Sequence, residues 1–220
     1  MEGITYSEQI APVLEEILCL RRNAINLAKD VISNTFTKDD LFFCSVIDRC
    51  THLMDGMSTM LQQRNLTCAG GLLRMQLDNC MRTYALFIAA DKSAVIDCLI
   101  DGSAIRDQKD TDGKKMTDVY LKDKLSEIDS RFGEVYKQSS GYVHFSSKAF
   151  YQSVTAKENY HIEFRVGTEL PERFNAVLLE CAKAYTHYCK LQLRILLEAV
   201  RSKRRFEASE GNGTQEHSES

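Results

Sequence analysis

Apolar residues recur roughly every three to four positions along most of the chain, which is the spacing of one buried face on an α-helix. Capping residues stand where the first two runs begin, with Ser7 before the first and Thr37, followed by acidic residues, before the second. The pattern predicts helices over Ser7 to about Ile32, Thr37 to about Leu61, about Ala69–Ala90, Ser93–Ile100 and Asp118 to about Ser140.

Three further segments of the chain predict a loop, a hairpin and a last helix. Residues 101–117 are polar and contain two glycines, which predicts an exposed loop. Residues 150–154 and 160–166 alternate apolar and polar side chains, which predicts a small β-hairpin. Pro171 then opens a long helix that reaches about Arg205, since proline is well accepted in a first helical turn.

These elements predict a mainly α protein with a single helical domain over residues 1–206. The expected architecture is an up-and-down bundle of four long helices plus short helices, with the hairpin before the last helix. Residues 207–220 are rich in Gly, Ser, Glu and Asn without an apolar period, so this tail is predicted to be disordered.

Composition narrows the classes of protein to consider. The chain has 220 residues and a formal net charge of -3, which argues against a generally cationic nucleic-acid binder but leaves a local basic groove open. Its eight cysteines form no C-x-x-C pair, which favours reduced thiols over a zinc site or disulfides. With no signal peptide and no apolar run of membrane length, we expect a cytoplasmic protein with no membrane contact, metal or cofactor.

The strongest candidate chemistry lies around His144, which follows the end of a helical pattern and has hydroxyl-bearing neighbours. Histidine is the side chain best suited to move a proton near neutral pH. In one interpretation His144 is a general acid or base supported by Tyr142 and Arg131. In the other it is a helix-end histidine satisfied by backbone carbonyls. The helical histidines His52 and His187 are interpreted as structural.

A second candidate is the series Arg74, Asp78 and Arg82, whose spacing of four puts them near one face of a helix. One interpretation is a surface ion ladder that adds a little helix stability. The other places Arg74 in a cleft, oriented by Asp78, where its guanidinium binds an anion such as phosphate. In this second interpretation Arg74, Asp78 and His144 converge on one cleft.

Two segments together resemble a known family. The stretch Leu72–Tyr84 is followed about sixty residues later by Tyr136–His144, and this pair resembles the HEPN-like helical proteins of bacteria, especially their abortive-infection and uncharacterised branches. In that family a helix with an arginine and an acid faces a later helix that ends in a Tyr…Ser…Val-His pattern. The resemblance covers about Ala69–Ser147.

The resemblance implies a helical bundle, usually dimeric, that acts on RNA in phage defence or in a toxin–antitoxin pair, with a partner protein from the same operon. Some members are metal-independent ribonucleases. The implied catalytic residues are His144 and Arg74, with Asp78, Tyr142 and Arg131 in support. The histidine would move a proton of the RNA 2′-hydroxyl or leaving oxygen, and the arginine would stabilise phosphoryl charge.

This chain departs from the pattern of the active members, which carry an arginine followed four to six residues later by a histidine on one helix. No Arg–His pair in the chain has that spacing. Whether the protein is an enzyme therefore stays open, and the alternative is a non-catalytic helical interaction or regulatory protein of the same fold.

The final predicted helix is apolar over more than one face. One face can pack on the bundle, which leaves another that needs cover. Together with the resemblance, this predicts a two-fold homodimer. The apolar residues are Val177, Leu178, Cys181, Ala184, Tyr185, Tyr188, Leu191, Leu193, Ile195, Leu196 and Val200.

Overall fold

The fold was taken from a computed structural model, which describes residues 5–32, 36–144, 146–158, 161–164, 166–167 and 169–213. The described chain is mainly helical, so the predicted class is confirmed. Its α-helices are α1 (Tyr6–Val31), α2 (Lys38–Gln62), α3 (Leu66–Ile88), α4 (Lys92–Ile100), α5 (Asp118–Ile128), α6 (Phe132–Val143), α7 (Ser147–Gln152) and α8 (Asn175–Gly213). Two short segments, β1 (Val154–Glu158) and β2 (His161–Phe164), pair antiparallel.

Side-chain caps fix where most of the helices begin. Thr5, not the predicted Ser7, caps α1, because the Thr5 hydroxyl and the Glu8 carboxylate bond each other's backbone N–H groups. Thr37 caps α2 as predicted and forms the same kind of box with Asp40. Three more helices begin after side-chain caps that satisfy otherwise unbonded N–H groups, namely Asn65, Asp91 and Thr117.

The single helix predicted over residues 118–140 is wrong, because the chain breaks into α5 and α6 at Asp129. Asp129 has an extended backbone (φ -130°, ψ 104°), and its carboxylate accepts the backbone N–H of Arg131 at 3.0 Å. The break turns the chain while keeping apolar residues on both sides of it in the core. α6 then continues through Gly141 to Val143, and His144 is its C-cap.

The region before α8 differs in detail from the prediction. Most of the first predicted strand, residues 150–154, lies in α7, and β1 begins only at Val154. The residues between the paired segments, 159 and 160, lie outside the described residues. Pro171 precedes a 3-10 turn, Glu172–Phe174, so α8 itself starts at Asn175. α8 extends to Gly213 and so into the tail predicted as disordered, of which residues 214–220 lie outside the described residues.

Helix α3 is central to the bundle, since it packs against α2, α4, α5, α6 and α8. A small polar layer is buried where α3 meets α8. Gln192 accepts hydrogen bonds from Gln76 and, at 3.2 Å, from Asn79, and it donates to the Thr83 hydroxyl at 3.3 Å. Because these buried groups satisfy one another, the layer fixes how α3 and α8 align.

Helix α8 packs against α1 and α2 as well as α3, so most of its apolar surface is covered within one chain. Among its described side chains, Val177 and Leu197 are the exposed large hydrophobics, at 39% and 37%. Other helices of the same chain therefore bury most of the α8 surface that led to the prediction of a two-fold dimer. The homodimer stays a prediction. No helix within the described residues combines the length and hydrophobicity of a membrane span.

The polar segment 101–117 is largely exposed, as predicted, but three buried side chains anchor it to the bundle. Ile105 and Met116 are buried in the core. Asp110 is buried too, and its carboxylate accepts the Tyr120 hydroxyl and two backbone N–H groups of its own turn. These bonds outweigh burial and hold the pKa of Asp110 below its usual value, with the Tyr120 bond the largest cause. The segment thus forms a fixed wall beside α4.

Candidate functional site

Arg74 is held by α6. Its guanidinium carbon lies 3.7 Å from the centre of the Tyr136 ring, and the guanidinium donates a hydrogen bond to the Tyr136 hydroxyl. Gly70, one turn earlier on α3, lies against Tyr142, so α3 and α6 run antiparallel. Arg74 is half-buried, and its stacking and hydrogen bond both tie it to one tyrosine.

Asp78 pairs with Arg82, as the ion-ladder interpretation allows, rather than with Arg74. Its carboxylate lies 3.2 Å from the Arg82 guanidinium, which also donates to Asp118 of α5 at 2.7 Å. Burial would lower the pKa of Arg82, but the two carboxylates outweigh it and raise that pKa above its usual value. The Asp78–Arg82–Asp118 network therefore joins α3 to α5.

His144 is exposed at the end of α6, where its backbone N–H donates to the Ser140 carbonyl at 3.2 Å. Within the described part of the chain, no hydrogen bond or ion pair joins His144, Arg74 and Asp78. Tyr136, which holds Arg74, precedes His144 by about 12 Å of helix at 1.5 Å per residue. The convergence of these residues on one cleft stays a prediction.

Arg131, predicted to support His144, instead lies beside His187 of α8. Its guanidinium is 3.5 Å from His187 Nε2, and the same nitrogen contacts the Asp129 carboxylate. Burial would raise the pKa of Asp129, but bonds from His187 and from the Arg131 backbone lower it below its usual value. The structure thus assembles an arginine, a histidine and an acid that sequence reasoning left apart.

A cavity of about 480 Å³ adjoins this cluster. Side chains of both charges line this cavity. Lys183 and Glu180 are among them, and Lys190 pairs with Glu16. His187 was interpreted as structural, and no sequence pattern around it indicates a functional role. Its partners are 56 and 58 residues away in sequence.

A second cavity, of about 1060 Å³, lies between α2, α3, α4 and residues 103–119. Most of its surface is apolar, with buried side chains at its floor and exposed ones at its rim. We call it the groove, and it is lined by Leu41, Phe42, Ser45, Val46, Arg49, Asp78, Asn79, Arg82, Ile96, Leu99, Ile100, Ser103, Ala104, Ile105, Arg106, Thr117, Asp118 and Val119.

The rim of the groove exposes four large apolar side chains. Leu41 and Leu99 are each 44% exposed, Ile100 is 59% exposed and Val119 is 64% exposed. They come from α2, α4 and the start of α5, so no single sequence segment reveals the cluster. Grouped exposed apolar side chains around a concave surface are typical of binding sites.

Comparison with protein-family models, curated proteins and solved structures finds no match to this chain. No group of three or more metal-ligating side chains is found within the described residues.

Proposed function

We propose that this chain is a binding or regulatory protein whose groove holds a small apolar molecule. This function corresponds to the non-catalytic interaction or regulatory protein that the sequence leaves open as the alternative to a ribonuclease. The observation that carries it is the groove itself, since its volume of about 1060 Å³ matches the upper range of small-ligand pockets, roughly 300–1,000 Å³. Among the described residues, no hydrogen bond or ion pair joins the predicted catalytic pair, Arg74 and His144.

Covering the apolar rim is the main source of the expected binding free energy. Leu41, Leu99, Ile100 and Val119 keep substantial area in water, and each Å² of apolar area that a ligand covers contributes about 25 cal/mol. The floor is preformed by buried residues such as Phe42, Val46 and Ile96. Binding then requires little rearrangement of the bundle, which lowers its entropic cost.

We expect the uncharged dye N-phenyl-1-naphthylamine to bind the protein saturably at one site, with increased fluorescence. Ser45→Trp adds an indole on the groove's α2 wall and should weaken dye binding about tenfold, equivalent to 1.4 kcal/mol. The measurement is a fluorescence titration, with thermal unfolding to confirm that the variant folds.

Thr59→Trp is the matched control. Thr59 is exposed on the same helix, and its hydroxyl bonds the carbonyl four residues earlier, as the Ser45 hydroxyl does. Thr59 lies outside the groove, so this variant should bind the dye as the wild type does. Equal binding by Ser45→Trp and the wild type would reject the groove as the ligand site.

A second candidate function keeps the RNA-directed role that the resemblance implies. One observation favours this role. The Arg131 guanidinium lies beside His187 Nε2, and the Asp129 carboxylate contacts the same nitrogen. In this proposal His187 moves the proton of an RNA 2′-hydroxyl, Asp129 orients the ring, and Arg131 stabilises phosphoryl charge. The residues differ from the predicted His144 and Arg74, but their chemical types are the same.

If this second function holds, His187→Ala should reduce cleavage of single-stranded RNA about 100-fold or more, the usual contribution of a general acid or base. His52→Ala is the control, because His52 is an exposed helical histidine 3.6 Å from Asp48. A cleavage assay with purified protein measures both. Loss of cleavage in His144→Ala but not in His187→Ala would return the role to the predicted pair.

A further inference from the structure

We infer that the groove's ligand is an amphipathic acid, an apolar chain that ends in a carboxylate, and that Arg49 and Arg106 receive the acid group. This inference rests on the proposed function, because it names the class of molecule that the groove binds. Three arginines line the groove, and their different surroundings decide which of them can meet a ligand.

Arg82 already forms ion pairs within the protein. It contacts Asp78 at 3.2 Å and Asp118 at 2.7 Å, and its side chain is only 27% exposed. Two carboxylates already surround its single positive charge. An added anion at Arg82 would meet repulsion from both acids, so Arg82 serves to hold α3 against α5.

Arg49 and Arg106 differ from Arg82, because both are exposed and no ion pair of the described residues includes either. The acids next to them in sequence have other partners, since Asp107 pairs with Lys115 at 3.1 Å and Asp48 lies 3.6 Å from His52 Nε2. The two guanidinium groups are therefore left with hydrogen-bond donors that suit a planar carboxylate.

The groove thus joins an apolar surface to two cationic side chains that have no carboxylate partner among the described residues. An amphipathic acid satisfies both, since its chain covers the rim and its carboxylate bonds the arginines. The volume suits one small molecule, whereas a folded protein partner would need a contact surface of about 800 Å² on each side.

The test compares decanoate with decan-1-ol, which have the same chain length and differ in charge, as competitors of N-phenyl-1-naphthylamine. Wild-type protein should bind decanoate about tenfold more tightly than decan-1-ol, a preference equivalent to 1.4 kcal/mol. In the double variant Arg49→Gln/Arg106→Gln, the decanoate affinity should fall to that of decan-1-ol.

Arg22→Gln is the matched control, because Arg22 is an exposed helical arginine away from the groove and should leave the preference for decanoate intact. Equal affinity of wild-type protein for the two competitors would overturn this inference while leaving the groove as an apolar binding site. Failure of the dye itself to bind would overturn the inference together with the function on which it rests.

Discussion

Asp40→Asn is expected to lower the free energy of unfolding by about 3 kcal/mol, the low end of the cost of removing one partner from a buried ion pair. Asp40 is fully buried, and Lys203 of α8 donates to both of its oxygens at 2.6 and 2.7 Å. The Lys203 ammonium also bonds the Val31 carbonyl at 3.2 Å. The substitution removes the Asp40 counter-charge from that ammonium, which is 20% exposed.

The neighbouring pair of Asp30 and Arg204 is the control. It joins the end of α1 to α8 at 2.8 Å, but its side chains are 55% and 56% exposed. Arg204→Ala should therefore cost less than about 1 kcal/mol. Urea unfolding of the variants measures both effects, and similar losses from Asp40→Asn and Arg204→Ala would show that burial does not strengthen the Asp40–Lys203 pair.

The same pair predicts the direction of a pH effect. Burial alone would raise the pKa of Asp40, but bonds from Lys203 and Thr37 outweigh it and lower the pKa below its usual value. A carboxyl group with a lowered folded-state pKa stabilises the fold fully above the unfolded-state pKa, about 4. That contribution is lost as the pH falls through the folded-state pKa. The stability difference between wild type and Asp40→Asn should therefore shrink below about pH 4.

Gly70→Ala is expected to cost about 2 kcal/mol, within the range for overpacking a tight contact. An added Cβ would lie against the Tyr142 ring and 2.8 Å from the Tyr142 Cβ. Because the contact includes the Cβ next to the backbone, ring rotation alone cannot relieve it. α3 and α6 must move apart, and this cost exceeds the gain in helix propensity from removing a glycine.

The adjacent Gly71→Ala provides a matched control, since no heavy atom lies within 4 Å of the Cβ it would add. It should stabilise the protein by about 0.5–1 kcal/mol through helix propensity and the unfolded chain. In a Tyr142→Gly background the cost of Gly70→Ala should largely disappear, because the ring and the Cβ that the added methyl group would meet are both gone. Equal stabilisation by both glycine substitutions would disprove the close contact of α3 with α6.

Most of the helical architecture was predictable, because long amphipathic stripes and caps such as Thr37 act locally. The break at Asp129 was not, since the apolar pattern continues through it and the turn depends on one carboxylate accepting the Arg131 N–H. The anchoring of residues 101–117 to the bundle was missed for a related reason. Ile105 and Met116 are isolated apolar residues in a polar segment, without a period to reveal them.

The candidate site was less predictable than the fold. A spacing of four joins Asp78 equally well to Arg74 and to Arg82, and only the position of Tyr136 on α6 and Asp118 on α5 decides between them. The groove is assembled from four helices, α2 to α5, and from the segment that connects α4 to α5. The cluster at His187 depends on contacts across more than fifty residues of sequence.

The most direct test of the central claim, that the groove is the ligand site, is a two-dimensional amide NMR titration of the full chain with decanoate. We expect saturable shift changes concentrated in residues 41–49, 96–106 and 117–119, with the Asp129–His187 region unchanged. Changes centred on residues 129–135 and 183–190 instead, or no saturable change in any of these segments, would contradict it.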